Sequence, residues 1–98
     1  MPNATGTIPG PHDEHQILFY GLSTCVWCKR TRQFLESQGV KFDFVYVDLL
    51  GPSERQEILE EIRRRSGQSS VSFPTVMIDG GRCVVGYRPE QMREVLRL

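Results

Sequence analysis

The sequence predicts an α/β fold in which three helices flank a four-stranded mixed sheet, in the order β-α-β-α-β-β-α. Short apolar runs bounded by glycine or proline indicate buried strands, and apolar residues at helical spacing indicate the helices between them. The turn signal Asp79-Gly80-Gly81 predicts that the last two strands form a hairpin. A chain of 98 residues has the usual length of one domain, which we expect at residues 16–98 after a flexible tail at residues 1–15.

The first strand, helix and second strand follow one another closely. Residues 17–20 are apolar, end at Gly21 and are too few for a helix. Residues 26–38 have helical periodicity, and Gly39 is a stop signal. The apolar or small positions of this helix are Cys28, Thr31, Phe34 and Leu35. Residues 40–48 alternate and are rich in Phe, Val and Tyr, so they predict a second strand, parallel to the first because a helical crossover connects them.

A second helix is predicted after the break at residues 50–52. Ser53 with Gln56 three residues later has the pattern of a capping box, in which each side chain bonds the other's backbone amide. The apolar stripe of this helix consists of Ile58, Leu59 and Ile62. Charged residues occupy its other positions, acidic at the start and basic at the end, which suits the helix dipole.

The last three elements are a hairpin and a helix. Residues 75–78 form the third predicted strand, and residues 82–85 return antiparallel after the turn. Pro89 is typical of a first helical position and opens the final helix. The residues of that helix expected to face the core are Met92, Val95 and Leu96.

The motif Cys25-Val26-Trp27-Cys28 is the strongest chemical signal in the chain. If Cys25 lies at the start of the helix, Cys28 lies one turn along the same face, close enough to form a disulfide. Unpaired backbone N–H groups and the helix dipole favour negative charge on the first sulfur. Three cations follow in the same turns, Lys29, Arg30 and Arg32. The spacing therefore predicts a nucleophile, Cys25, and a resolving thiol, Cys28.

Composition excludes several other classes of function. Twelve acidic and twelve basic side chains cancel, so the net charge gives no reason to expect nucleic-acid or membrane-surface binding. No segment approaches the ~20 apolar residues that a bilayer span needs. Three cysteines do not make a disulfide framework, and a C-x-x-C pair in a chain of this kind indicates a reducing compartment. We expect a soluble, cytoplasmic monomer.

Metal binding is the alternative reading of the cysteine pair. A structural zinc site would need two more ligands, for which Cys83, His12 and His15 are the candidates. An iron–sulfur cluster shared by a dimer would use one thiolate per chain and external thiols. C-x-x-C beside a β-α-β pattern favours redox chemistry over both. Cys83 itself is typical of a small buried apolar residue.

Three features of the chain resemble the thioredoxin superfamily. They are the element order, the C-x-x-C motif after the first strand, and the Phe73-Pro74-Thr75 segment at the start of the third strand. The short form, over residues 16–98, resembles glutaredoxins. The resemblance implies a thioredoxin-like fold with Pro74 in a cis peptide bond beside the nucleophilic sulfur. It also implies that the backbone of Phe73 hydrogen-bonds an extended substrate, a form of strand addition.

The segment Gly86-Tyr87-Arg88-Pro89 resembles that of NrdH-type redoxins, which have a glutaredoxin shape and behave like thioredoxins. Typical glutaredoxins carry an aspartate where Arg88 stands, and that aspartate helps to hold the γ-glutamyl end of glutathione. Arginine cannot accept a hydrogen bond and repels the glutathione amino group. Typical glutaredoxins also have Pro-Tyr, not Val26-Trp27, between the cysteines.

The resemblance implies a dithiol electron carrier that reduces disulfides of proteins or small molecules and has no tightly bound cofactor. A reductase protein of the thioredoxin-reductase type or another kind would recharge it, and ribonucleotide reductase would be one partner. The alternative is a glutaredoxin with glutathione as electron donor. The catalytic residues expected are Cys25 and Cys28. The substrate-binding residues expected are Trp27, Lys29, Phe73, Pro74, Thr75, Gly86 and Tyr87.

Overall fold

A computed structural model describes residues 4–98 as a five-stranded sheet with helices on both faces. The strands are β1 (Thr5–Ile8), β2 (Ile17–Gly21), β3 (Phe42–Tyr46), β4 (Thr75–Ile78) and β5 (Arg82–Val85). The helices are α1 (Val26–Ser37), α2 (Pro52–Ser66) and α3 (Pro89–Leu96), and a 3₁₀ helix at Val47–Leu49 follows β3. None of the helices in this described part has the length and apolar character needed to cross a bilayer.

The strand order is β1-β3-β2-β4-β5, and only β2 and β3 run parallel. The parallel pair and the β4–β5 hairpin confirm the topology predicted for these strands. In the hairpin turn Asp79 has φ 55° and Gly80 has φ 71°, as a type I′ turn requires. The amide of Gly81 closes the turn by donating to the carbonyl of Ile78 at 3.3 Å.

The predicted number of four strands is wrong, because Thr5–Ile8 forms a fifth strand along the open edge of β3. Gly6 lies opposite Phe44, and a Cβ at Gly6 would come within 2.7 Å of the Phe44 ring. The glycine that looks like a strand breaker in sequence therefore makes room for an aromatic ring. Residues 1–3 of the predicted tail lie outside the described residues.

The capping box predicted for α2 is also wrong. The helix begins at Pro52, with Gly51 as N-cap and no side-chain capping bond. Proline suits the first helical position because its φ is already helical and its missing N–H would have had no partner there. Ser53 therefore lies within the first turn, where it cannot act as the cap.

The core has two layers because alternate residues of β2 face opposite sides of the sheet. Phe19 packs with α1 and α3 residues such as Leu35 and Met92, all fully buried. Tyr20 packs with Ile62 of α2 and with Met77 on the other side. The carboxyl ends of the parallel strands β2 and β3 lie side by side, and the loop from β2 to α1 starts there, which is where sites in such sheets form.

Candidate active site

Cys25 is the N-cap residue of α1, with extended backbone angles (φ −87°, ψ 123°). Its half-buried sulfur accepts a hydrogen bond from the backbone amide of Cys28 at 3.2 Å. An N-cap side chain normally satisfies one of the unpaired amides of the first turn, and here a sulfur takes that place. The helix start and this donor direct positive partial charge at the Cys25 sulfur, the kind of setting in which a cysteine can serve as a nucleophile.

Cys28 is buried, one turn further along α1. Its sulfur accepts from the amide of Leu22 at 3.4 Å. Burial, together with smaller contributions from the hydrogen bond with Cys25, the charge on Cys25 and the charge on Asp48, raises the pKa of Cys28 to about 12. Leu22 acts in the opposite direction. Cys28 is therefore a protonated thiol behind the more accessible sulfur of Cys25, which suits a resolving role and not a first attack.

Ser23 and Asp48 form a polar pair beneath the cysteines that the sequence analysis missed. The Ser23 amide donates to Asp48 Oδ1 at 2.9 Å, and the Ser23 hydroxyl donates to Oδ2. Burial alone would raise the pKa of Asp48, but the bonds from Ser23 and the nearby Arg55 charge lower it overall. The backbone of Leu22, next to Ser23, contacts both cysteines. Its amide donates to the Cys28 sulfur, and its carbonyl accepts from the Cys25 amide at 3.2 Å.

The Phe73–Pro74 peptide bond is cis, as the resemblance implies. The carbonyl of Pro74 accepts from the amide of Gly86 at 2.8 Å, which joins this loop to the segment after β5. Gly86 has φ 86°, a left-handed conformation that favours glycine. Among residues 4–98, neither the amide nor the carbonyl of Phe73 has a hydrogen-bond partner, so both are available to another chain.

Trp27 and Tyr87 form a stacked pair next to the cysteines, with ring centroids 5.8 Å apart and planes at 25°. Trp27 remains 54% exposed, and Tyr87 is half-buried. The Arg30 guanidinium lies over the Trp27 ring at 5.4 Å from its centroid. The fold thus brings together an active-site tryptophan and a tyrosine that are 60 positions apart in sequence.

The other two predicted site residues have different surroundings. Lys29 is exposed on α1, and its amide donates to the carbonyl of Cys25 at 3.0 Å. Thr75 is buried, and its hydroxyl donates to the carbonyl of Ser72 at 2.6 Å. The side chain of Thr75 therefore holds the loop before Pro74 in place and does not face solvent.

The third cysteine lies apart from this arrangement. Cys83 is half-buried on β5 and packs against the apolar cluster on the α2 face. Burial raises its pKa. His15, a candidate zinc ligand in the sequence analysis, instead bonds Asp79 through Nδ1 at 2.7 Å. No group of three or more potential metal-binding side chains is found within residues 4–98.

Comparison with known proteins gives consistent matches. The glutaredoxin family model matches residues 17–84. A glutaredoxin-like 8.6 kDa protein of the Clostridium pasteurianum rubredoxin operon is 34% identical over 82% of this chain and 96% of its own length.

Two solved structures show the same fold. The glutaredoxin of Methanosarcina mazei Go1 superposes with a TM-score of 0.87 and 43% identity, over 98% of this chain and 90% of its own. NrdH-redoxin of Escherichia coli, described as a glutaredoxin-like protein with a thioredoxin-like activity profile, superposes with a TM-score of 0.64 and 26% identity. That match covers 82% of this chain and 93% of the NrdH-redoxin chain.

Proposed function

Because this chain belongs to the glutaredoxin family, we propose that it is a dithiol oxidoreductase that reduces disulfides of proteins or small molecules through Cys25 and Cys28. The observation that carries the proposal is the contrast between the two sulfurs. Cys25 is half-buried at a helix start with an amide donor, and Cys28 is a buried thiol one turn behind it. We further propose that the protein acts as a monomer in the cytoplasm, where free thiols persist.

In the first step the Cys25 thiolate attacks one sulfur of a substrate disulfide. A bond forms between Cys25 and that sulfur, the substrate S–S bond breaks, and the other sulfur leaves as a thiolate that takes a proton from solvent. The Cys28 amide that donates to Cys25 stabilises the attacking charge. The product of this step is a mixed disulfide.

In the second step Cys28 loses its proton and attacks Cys25, the substrate leaves as a thiol, and a Cys25–Cys28 disulfide remains. Burial is the largest cause of the raised pKa of Cys28, and the hydrogen bond and charge of Cys25 add to it. Forming the mixed disulfide removes the negative charge of Cys25 and its side-chain hydrogen bond with Cys28. The pKa of Cys28 therefore falls when the adduct forms, although the contribution of burial remains, so adduct formation itself favours the attack of the resolving thiol.

The substrate would lie across the loop that carries Phe73 and Pro74. The unpaired amide and carbonyl of Phe73 are suited to hydrogen-bond an extended segment on either side of the disulfide. The bond from Gly86 to Pro74 fixes the loop on one side. Trp27 and Tyr87 would border the substrate on the side of α1, with Lys29 at the rim.

A reductase protein is the proposed electron donor for the oxidised form. Arg88 is exposed, and its Nε donates to the carbonyl of Val85 at 2.9 Å, so a guanidinium stands where typical glutaredoxins carry an aspartate. This side chain offers no acceptor to the amino group of glutathione. The similarity to NrdH-redoxin, whose activity profile is described as thioredoxin-like, supports the same assignment. Ribonucleotide reductase is proposed as one substrate on the resemblance of the segment at residues 86–89 to NrdH-type redoxins.

The test is to mix the oxidised protein with two reductants in separate experiments. One contains glutathione alone, and the other contains a thioredoxin reductase with its electron source. We expect rapid appearance of free thiols only with the reductase. Rapid reduction by glutathione alone would instead support a glutathione-dependent glutaredoxin, and failure of both reductants would contradict a dithiol carrier of either kind.

A further inference from the structure

We infer that the preferred substrate disulfides are flanked by acidic residues. The inference rests on the proposed function and specifies the class of substrate. The surface concerned, which we call the cationic rim, consists of Trp27, Lys29, Arg30, Tyr87 and Arg88. It borders the exposed side of the cysteine pair.

The rim has a fixed aromatic base. Trp27 and Tyr87 stack face to face, so each ring restricts the other. The Arg30 guanidinium lies 5.4 Å from the centre of the Trp27 ring, while the Arg30 residue as a whole stays exposed. Stacking on an aromatic face leaves the edge of a guanidinium free to form paired hydrogen bonds with a carboxylate. Arg30 is therefore positioned to receive an anion next to the active site.

Within residues 4–98, the cations of the rim form no ion pair with an acidic side chain. The ion pairs among residues 4–98 are His12–Glu14, His15–Asp79, Arg32–Glu36 and Arg65–Glu61. Lys29, Arg30 and Arg88 take part in none of them. Glu90, at the first turn of α3, is close to Arg88 in sequence but forms no ion pair with the rim.

The groove beside the cationic rim is also positively charged. Its volume is about 490 Å³, and its lining includes Lys29 and Arg30 but no carboxylate. Arg93 adds a further cation on this side, with its guanidinium 5.3 Å from the ring of Phe34, which also lines the groove. Because the whole chain has no net charge, this excess of positive charge is local.

An acidic polypeptide fits these features better than a nucleic acid does. Phosphates would also satisfy the cations, but a nucleic acid has no disulfide to present to Cys25. A peptide with carboxylates near its disulfide satisfies both the rim and the nucleophile. Attraction between opposite charges speeds the encounter and weakens as salt screens it, so the preference should depend on ionic strength.

The experiment uses three disulfide peptides that differ only in the residues flanking the cysteines: Glu, Gln or Lys. The kcat/KM for reduction is measured with the full chain at low and at high salt. We expect the Glu peptide to be reduced faster than the Gln peptide, and the Lys peptide slowest, with about tenfold between Glu and Lys at low salt. High salt should shrink this ratio.

Two charge-reversal variants locate the effect. Arg30→Glu should remove or invert the preference for the Glu peptide. Arg63→Glu is the matched control, because Arg63 is exposed on α2, on the opposite face of the sheet, and this variant should keep the wild-type preference. Equal rates for the three peptides, or a loss of preference in the Arg63 variant equal to that in the Arg30 variant, would overturn the inference and leave the proposed function intact. Failure to reduce any of the peptides would contradict both.

Discussion

Cys25 and Cys83 are both half-buried, yet the groups that surround the two sulfurs differ. At the start of α1, Cys25 receives an amide hydrogen bond and the positive end of a helix. On β5, Cys83 packs against apolar side chains, and burial raises its pKa. Under the proposed function, the amide donor and the helix start, and not exposure alone, distinguish the reactive sulfur of Cys25 from that of Cys83.

The largest effect should come from replacing these two cysteines in turn. Cys25→Ser removes the nucleophile and should lower disulfide-reducing turnover at least about a thousandfold. Cys83→Ser is the matched control and should stay within about twofold of wild type, because Cys83 contacts neither sulfur of the pair. Steady-state reduction of a disulfide peptide measures both. A comparable loss in the two variants would break the comparison.

The next test separates the two sulfurs within the α1 region. Cys28→Ser leaves Cys25 able to attack but unable to be released, so it should accumulate a mixed disulfide with the substrate. Mass spectrometry of the intact protein, before and after reductant, should show one substrate mass added and then lost. Cys25→Ser under the same conditions should show no adduct. The reverse pattern would mean that the two roles are exchanged.

A smaller effect is expected at Asp48. Burial is the main cause of the raised pKa of Cys28, and the Asp48 charge adds to it. Asp48→Asn removes that charge and keeps an oxygen for the Ser23 amide, so the pKa of Cys28 should fall and release of substrate from the adduct should accelerate severalfold near neutral pH. In a plot of release rate against pH, the rising limb should move to lower pH.

Asp43→Asn is the control for this variant. Asp43 is an aspartate of β3, five residues before Asp48, and its carboxylate accepts from the Thr7 hydroxyl at 2.6 Å, on the edge shared with β1. Its replacement should leave the pH dependence of release unchanged. An identical shift in both variants would show that general destabilisation, and not the charge beside Cys28, moves the profile.

The smallest effect should come from the aromatic pair. Trp27→Ala removes the stack on Tyr87 and should lower kcat/KM by about threefold to tenfold, mainly through KM. Val26→Ala is a fair control, since Val26 is 64% exposed and lies on the same turn. Trp27→Phe should recover part of the loss. An unchanged KM in the Trp27→Ala variant would exclude this ring from substrate binding.

Local signals in the sequence predicted much of the fold. The parallel pair, the Asp79–Gly80 turn and the α1 start at the cysteines all depend on short patterns. β1 was missed because its strand character depends on a partner about 40 positions away and on a glycine that makes room for Phe44.

The same limit applies to the site. The motif itself identifies Cys25 and Cys28, but Ser23 and Asp48 are 25 residues apart and neither belongs to a motif. A usable signal existed: Asp48 is the last residue of a strand predicted to be parallel to the one before Ser23, and the carboxyl ends of such strands meet. The stack of Trp27 on Tyr87 had no such signal, because its geometry depends on where the loop after β5 lies.

The most direct test of the central claim is competitive alkylation of the fully reduced protein at neutral pH with a limiting amount of iodoacetamide. Peptide mass spectrometry then quantifies the label at each cysteine. The account predicts that Cys25 is modified at least about tenfold faster than Cys28 or Cys83. Labelling of Cys83 as fast as that of Cys25 would contradict it, because the start of α1 would then give its sulfur no advantage.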